Sequence, residues 1–534
     1  MPPTGSSNKL KLFVSCRNLT SEGTVKVICT WNGRESPTNT AETEKIKSNN
    51  DPEFTTPIEI EHFFEVKQTL NFKLIDDALG PDDYVGQCSI TLGELLIGGQ
   101  KTQLELKSSS GLNPGQLVIK PVKVEAPKID MIDFWIKAEF QEGQVTLSKS
   151  GLTFKVFTIK KGKPHTELYT SETATGTKSI HWNPIQTSIE KLCGKDEDHP
   201  FRIEFYDEEN RSEYVAYVDV MISQLKADSK ADSKDKSGNL LGIVEAKYEL
   251  LDKSQNPVGV VTLKNRIHTT YDFLDYLRGG LQLDFYLALD FTSSNGIPTS
   301  ETSLHRISED GADNDYQKAL KQIGEIIHSY SISKRIFSMG YGAFLDGLAR
   351  KPGFRQPHCF PLEEEKFSVN GVNNLLKSYK NFVMDPKVKF WGPTIFSEVF
   401  KMVQYMVTLT PKANMYSLFF ILTDGDVRDI DEVKLLLHHI STLPISVVVI
   451  GIGEDDFENL MEFDAKRKEL KLVNGEVIKR DIFRFFKFDE NKIAEVFKGI
   501  PSQVEEYCNT LKIEPGKFIQ VPQIEWHKDK FNVF

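Results

Sequence analysis

The sequence predicts a multidomain protein in which two all-β sandwiches are followed by an α/β doubly wound domain of Rossmann-like type. Three observations carry that prediction. Before residue ~275, short β-type runs alternate with Gly, Pro, Asn and Asp turns. Beyond it, apolar strands alternate with amphipathic helical patterns. Within the β half, one segment recurs: Pro52, Asp76 and Tyr84 have counterparts in Pro184, Asp207 and Tyr214, at offsets of 132, 131 and 130 residues. An offset of that size is a domain's length and no solenoid period, so the β half is two tandem copies.

In chain order, the first sandwich is expected over 5–125, from runs such as KLKLFVSC, TVKVICTW and QTLNFKLID. The second is expected over 128–266, from LTFKVFTI, FRIEFYD, YVAYVDV and GVVTLKN, beyond a Pro-containing divider at 120–130. Its tract KADSKADSKDKSG (226–238) carries almost nothing apolar and predicts a disordered insert. The α/β domain is expected over 273–512. LQLDFYLALD (281–290), YSLFFILTD (416–424) and PISVVVIGIG (444–453) are apolar along their length, as central parallel strands are. DYQKALKQIGEIIHSY, FSEVFKMVQYMVTL and DEVKLLLHHIST supply the helices between them. A tail over 513–534 completes the chain, with Trp526 near a polar, Lys-containing end.

Composition narrows the function classes. With 65 basic against 76 acidic residues the net charge is −11, so no global basic field advertises nucleic acid. The six cysteines form no CxxC pair and are too sparse for a disulfide framework, which predicts free thiols in a reducing compartment. The opening MPPTGSSNKL has no apolar h-region, Pro2 stands where N-myristoylation needs glycine, and FNVF is no prenylation box. The longest apolar stretches fall well short of the ~20 residues of a membrane span. A cytoplasmic protein, peripheral to plasma membrane or vesicles when recruited, is the expectation.

The two β copies resemble C2 domains. The family's Asn-Pro-x-Phe strand element is similar to NNDPEF (49–54), and its third-loop signature to Asp76…Asp83-Tyr84-Val85-Gly86. The α/β half resembles a von Willebrand factor A domain, and LDFYLALDFTSSNG (283–296), YDFLDYLRGG, ALKQIGEIIHSY, WGPTIF and ILTDGDV resemble the copine version of it. Two C2 domains followed by one A domain is the copine architecture.

That resemblance implies a metal-ion-dependent adhesion site built from Asp290, Thr292, Ser294, Thr394 and Asp424. Asp290 ends a buried strand, Thr292 and Ser294 follow at alternate positions, and Asp424 ends another strand. Such strand ends are where an open α/β sheet places ligands. Two carboxylates with two or three hydroxyls make a hard oxygen set suited to Mg²⁺ or Mn²⁺, leaving a position for a carboxylate from a protein partner. A strand-end Asp alone also caps helices. Asp426 and Asp429 are expected in a solvated turn or as helix caps, and His438 and His439 as dipole-facing or packed residues near a helix C-terminus.

The C2 resemblance implies calcium-dependent phospholipid binding, with carboxylates from the first and third loops around Ca²⁺. Here the first loops depart from the family. In NLTSEGTVKV (18–27) Glu22 is the only acid, and in the second copy Gly151 stands where the family has Asp. The third loops retain Asp76, Asp77, Asp82 and Asp83 in the first copy, and Asp207, Glu208, Glu209 and Glu213 in the second. Third-loop acids alone hold Ca²⁺ weakly unless lipid phosphates complete its shell. Lys155, Lys160, Lys161 and Lys163 form a basic strand that suits anionic headgroups or, equally, guards an edge strand.

The expectation is therefore a copine-like adaptor without enzymatic activity. Its C2 pair docks on anionic phospholipid membrane, and its A domain binds a protein carrying an acidic residue through Mg²⁺ or Mn²⁺. A calcium-independent scaffold whose C2 domains bind proteins is the alternative. A DxT-type aspartate-dependent phosphatase is the minor one, since Asp290 follows a buried strand but Thr292 stands where such enzymes typically have a second Asp. No Walker loop, HExxH or GxSxG occurs.

Overall fold

The computed structural model describes residues 8–517, apart from 21–22, 35, 37, 48–49, 79–82, 100, 125–129, 146–147, 160–164, 177–178, 228–243, 346–357, 364–365, 410–413, 465–471 and 473–474. The first β region is a sandwich of two antiparallel sheets. One runs in the order Ile58–Glu61, Lys9–Arg17, Gln116–Lys123, Thr102–Glu105. The other runs Asn39–Glu42, Thr24–Trp31, Thr69–Asp76, Gly86–Thr91. Period-two alternation turns Leu10, Leu12, Val14 and Cys16 inward from one sheet and Val25, Val27 and Cys29 from the other. A short helix, Leu92–Ile97, leaves the last of these strands with Thr91 and Glu94 in a capping box.

In the second β region the strands form one continuous sheet wrapped on itself, because Tyr217 pairs with Leu251 and joins its two layers. Asp130–Phe140 pairs along its whole length with Pro257–Thr269. Phe154, Trp182 and Phe205 fill the centre, with the Phe154 and Trp182 rings edge to face at 5.4 Å. Most of the 226–238 insert lies outside the described residues, while Ile222–Ala227 is a helix that includes its first two positions.

The α/β region begins with helix α1 (Phe273–Arg278) and then alternates β1 (Gln282–Asp290), α2 (Asp315–His328), β2 (Arg335–Tyr341), α3 (Val372–Met384), α4 (Ser397–Leu409), β3 (Met415–Thr423), α5 (Ile430–Ile440), β4 (Ile445–Gly451), α6 (Glu458–Glu462), β5 (Phe483–Lys487) and α7 (Ile500–Thr510). The five strands are parallel in the order β2-β1-β3-β4-β5, with short antiparallel pieces 360–361 and 368–370 on the β2 edge. Leu283, Phe285, Leu287 and Leu289 of β1 face one apolar layer with α2 and α3, and Tyr286 and Ala288 face the other with α4 and α5. The chain moves from β1 to β2 on one side and reaches β3 on the other, so the order reverses between β1 and β3.

By contacts the chain divides into two compact units, 1–126 with 271–534, and 127–270. The first sandwich and the α/β region fall in one unit because they share an apolar core. Phe64, in the turn after Ile58–Glu61, sits edge to face on Phe273 at 4.9 Å, against Tyr330 at 4.9 Å and against Phe497 at 5.8 Å. Around it, His62 Nε2 hydrogen-bonds the Tyr330 hydroxyl at 2.8 Å. Lys123 Nζ reaches Asp272 at 2.5 Å and Asp275 at 2.9 Å, and Lys334 reaches Glu94 at 2.7 Å. All six cysteines are free thiols. Among the described residues no helix is long and apolar enough to cross a membrane.

Candidate metal centre

The carboxyl ends of β1 and β3 bring four of the five predicted ligands together. Asp290, the last residue of β1, is fully buried. Its Oδ1 accepts the Thr292 N–H at 2.8 Å, and its Oδ2 accepts the Thr423 hydroxyl at 2.7 Å. A single helical turn, Ser293–Asn295, then presents the Thr292 and Ser294 hydroxyls 2.9 Å apart. Both point at Asp424 Oδ1, at 3.3 Å from Thr292 and 2.9 Å from Ser294. Thr394 is buried in the loop before α4, and its carbonyl accepts the Arg428 N–H at 3.0 Å, which ties that loop to the one after β3. No hydrogen bond joins the Thr394 side chain to the other four among the described residues.

The electrostatics of this cluster follow from burial. Burial raises the Asp290 carboxyl above the usual carboxylate range, against the lowering bonds from Thr292 and Thr423. Asp424 is pushed up to about 7, first by burial and then by the Asp290 charge beside it. Among the described residues no cationic side chain offsets either acid. Two buried carboxylates and the neighbouring hydroxyls form a hard, electron-rich oxygen set that fits a small divalent cation such as Mg²⁺ or Mn²⁺. Among the described residues no group of three or more His, Cys, Asp or Glu side chains gathers. The cluster has two acids and owes its other donors to hydroxyls.

Several supporting residues carried no sequence signal. His305 is fully buried behind the cluster, where its Nε2–H donates to the Asp290 carbonyl at 2.8 Å and its Nδ1 accepts from the Tyr379 hydroxyl at 2.8 Å. Burial depresses it to about 3, so the ring is neutral and this tautomer follows from the carbonyl partner. Tyr316 donates to Asn295 at 2.8 Å and so braces the helical turn. Asp426 and Asp429 are helix caps, but of helices other than the one they precede. Asp426 accepts the Asn459 and Leu460 N–H groups of α6, and Asp429 accepts those of Phe396 and Ser397 at the start of α4. His438 and His439 lie in the last turn of α5.

The third-loop acids of the β regions are engaged by protein groups. In the first, Asp76 caps its own turn through the Ala78 N–H at 3.0 Å and Asp77 pairs with Lys45 at 2.9 Å. Asp83 is exposed, whereas Asp82 and Glu22 lie outside the described residues. In the second, Asp207 accepts the Ser148 N–H at 2.6 Å and the Glu209 N–H at 2.9 Å, while Glu209 accepts the Ser150 hydroxyl at 2.9 Å. Glu208 pairs with Arg211, and Glu213 with Lys253 at 2.6 Å. First and third loops are thus joined directly by hydrogen bonds. Lys155 is paired with Glu167 at 2.8 Å and lies over the Tyr206 ring, while Lys160, Lys161 and Lys163 fall outside the described residues.

Two family models match the chain: the one described as Copine over residues 303–516 and the C2 domain over 11–106. Thr394 and Asp424 lie inside the first match, and Asp290, Thr292 and Ser294 just before it. Among solved structures, a fragment of Extended-Synaptotagmin 2 holding its SMP domain and both of its C2 domains is similar at 13% identity and a TM-score of 0.19, over 50% of this chain. This chain covers 57% of the length of that fragment. The tandem C2 domains of the same protein match over 94% of their length at 13% identity and a TM-score of 0.19, covering 50% of this chain. The second C2 domain of BON1 matches over 93% of its length and 27% of this chain, at 14% identity and a TM-score of 0.20.

Proposed function

The chain belongs to the copine family, with an N-terminal C2 domain and a C-terminal copine domain, and from that premise we propose that it is a non-enzymatic adaptor which joins anionic phospholipid membrane to a protein partner. The observation that supports the partner arm is the convergence of Thr292, Ser294 and Asp424 across the reversal of strand order, with Asp290 buried beneath. Mg²⁺ or Mn²⁺ held there by Asp290, Thr292, Ser294, Thr394 and Asp424 would supply a Lewis-acidic position for a carboxylate. The chain's own contribution is to fix the hydroxyls, through Asn295 and the Asp424 carboxylate, and to exclude water from Asp290. Mn²⁺ binding followed by electron paramagnetic resonance tests it: Asp424→Ala should abolish tight binding with the fold intact, and equal binding in the variant would overturn the site.

A second reading concerns calcium, and the saturated third loop of the second sandwich favours it. There Arg211, Lys253, Ser148 and Ser150 take up the acids that would face Ca²⁺. On this reading membrane contact by that sandwich does not need calcium. Co-sedimentation with phosphatidylserine vesicles, with and without free Ca²⁺ at fixed Mg²⁺, separates the two: pelleting only with Ca²⁺ favours the calcium-switched adaptor. Pelleting without it favours calcium-free docking, and none at all favours a protein-binding scaffold. Phosphate release from a generic monoester, lost in Asp290→Asn, would overturn the non-enzymatic reading.

A further inference from the structure

Beside the candidate metal centre stands an exposed tryptophan whose backbone is part of the centre's own framework. Trp391 has 60% of its surface exposed, and no other described tryptophan is among the exposed large apolar residues. Its carbonyl accepts the Ser293 N–H, between the two hydroxyl ligands, and it pairs in parallel with Thr292. Its own N–H donates to the Gly342 carbonyl at 2.8 Å. Gly342, at φ +76°, lies so close to Thr292 that a Cβ there would stand 2.5 Å from Thr292 Cγ2. Three loops are therefore locked together, and Trp391 is carried by them three residues before Thr394. Phe344 lies beside the indole at 6.5 Å, and Ile297, three residues after Ser294, is also exposed.

Charge on the same rim restricts what can dock. Arg428 is exposed and its N–H holds the Thr394 carbonyl, so a cation borders the centre on the side of the third loop. Asp455 approaches Gly425, next to Asp424, and adds negative charge. Without a bound cation the carboxylates repel an acidic segment; with one, the rim presents a cation, a guanidinium and an apolar shelf together. Rigid aromatic surface of this kind is what interface hot spots are made of.

We propose that Trp391 is a specificity anchor of the partner site, and that the segment it selects is a protein segment in which a carboxylate side chain adjoins an aromatic or aliphatic one. This rests on the reading of the centre as a carboxylate-capturing metal site. The test is selection of displayed short random peptides on the full chain in Mg²⁺ and in EDTA, for the native protein, Trp391→Ser and Trp391→Phe.

Mg²⁺-dependent enrichment of Asp or Glu next to apolar residues is expected. It should be lost in Trp391→Ser, retained in Trp391→Phe, and matched by roughly thirtyfold weaker binding of a selected peptide to Trp391→Ser. Indole emission should shift to the blue when that peptide binds the native protein. Enriched acids without apolar neighbours, insensitive to Trp391→Ser, would overturn the anchor and leave the metal reading standing. Apolar enrichment insensitive to EDTA would overturn the coupling of anchor to metal. No enrichment in Mg²⁺ over EDTA would overturn the proposal together with the adhesion-type function, whereas lost Mn²⁺ binding in Trp391→Ser would assign Trp391 to the framework alone and overturn its role as anchor.

Discussion

At the scale of single residues, buried charge decides the most. Asp290 and Asp424 are destabilising as anions unless a cation joins them, because burial removes water that nothing on a neighbouring side chain replaces. Asp290→Asn keeps the acceptor for the Thr292 N–H and removes the charge. In EDTA it is expected to stabilise the protein by about 1–3 kcal/mol, read as a higher melting temperature, and to erase the further rise that Mg²⁺ gives the native protein. A lower melting temperature in EDTA would contradict this account. His62 shows the opposite sign of titration. Burial holds it down at about 4, so between roughly pH 6.5 and pH 4 the unfolded chain binds the proton and the folded one does not. Its contribution is complete above about pH 6.5, down by about 2 kcal/mol at pH 5 and lost at pH 4. His305 behaves likewise with a still lower value of about 3. His62→Gln should therefore flatten, without abolishing, the loss of stability on acidification; a variant that melts with the native pH profile would refute the assignment.

At the scale of elements, local patterns were legible and distant partnerships were not. Apolar runs announced β1, β3 and β4, and the Asp290, Thr292, Ser294 spacing announced the loop that follows β1, since both signals lie within a few consecutive residues. His305 was invisible because its partners, Asp290 and Tyr379, stand 15 and 74 residues away. Asp429 looked like the cap of the helix it precedes, yet it caps α4, more than thirty residues upstream, because the two loops meet at the sheet's end. The third loop of the second sandwich reads in sequence as an acidic calcium loop with a weak first-loop partner. In three dimensions Ser148 and Ser150 close on Asp207 and Glu209. Terbium luminescence on the isolated 127–270 unit should accordingly show no tight site at neutral pH. The variant Ser150→Ala, which releases Glu209, should bind Tb³⁺ more strongly than the native unit. Tight native binding would show that the latch opens readily.

At the scale of the whole molecule, three sequence segments make two units. The 127–270 unit has its own core, while the first sandwich completes the core of the α/β region through Phe64, His62 and Lys123. Calorimetry of the full chain is expected to show two transitions. Phe64→Ala should lower only the one that belongs to the larger unit, by about 3–5 kcal/mol; a third independent transition would separate the first sandwich from the α/β region.

The order of those segments also has a consequence for synthesis. Phe64 leaves the ribosome early, but Phe273, Tyr330 and Phe497, which cover it, follow only after the whole second sandwich has been made. At typical elongation rates the wait for Phe497 is roughly 20 to 90 s. During that interval the nascent first sandwich offers a bare aromatic face, a natural resting place for a chaperone.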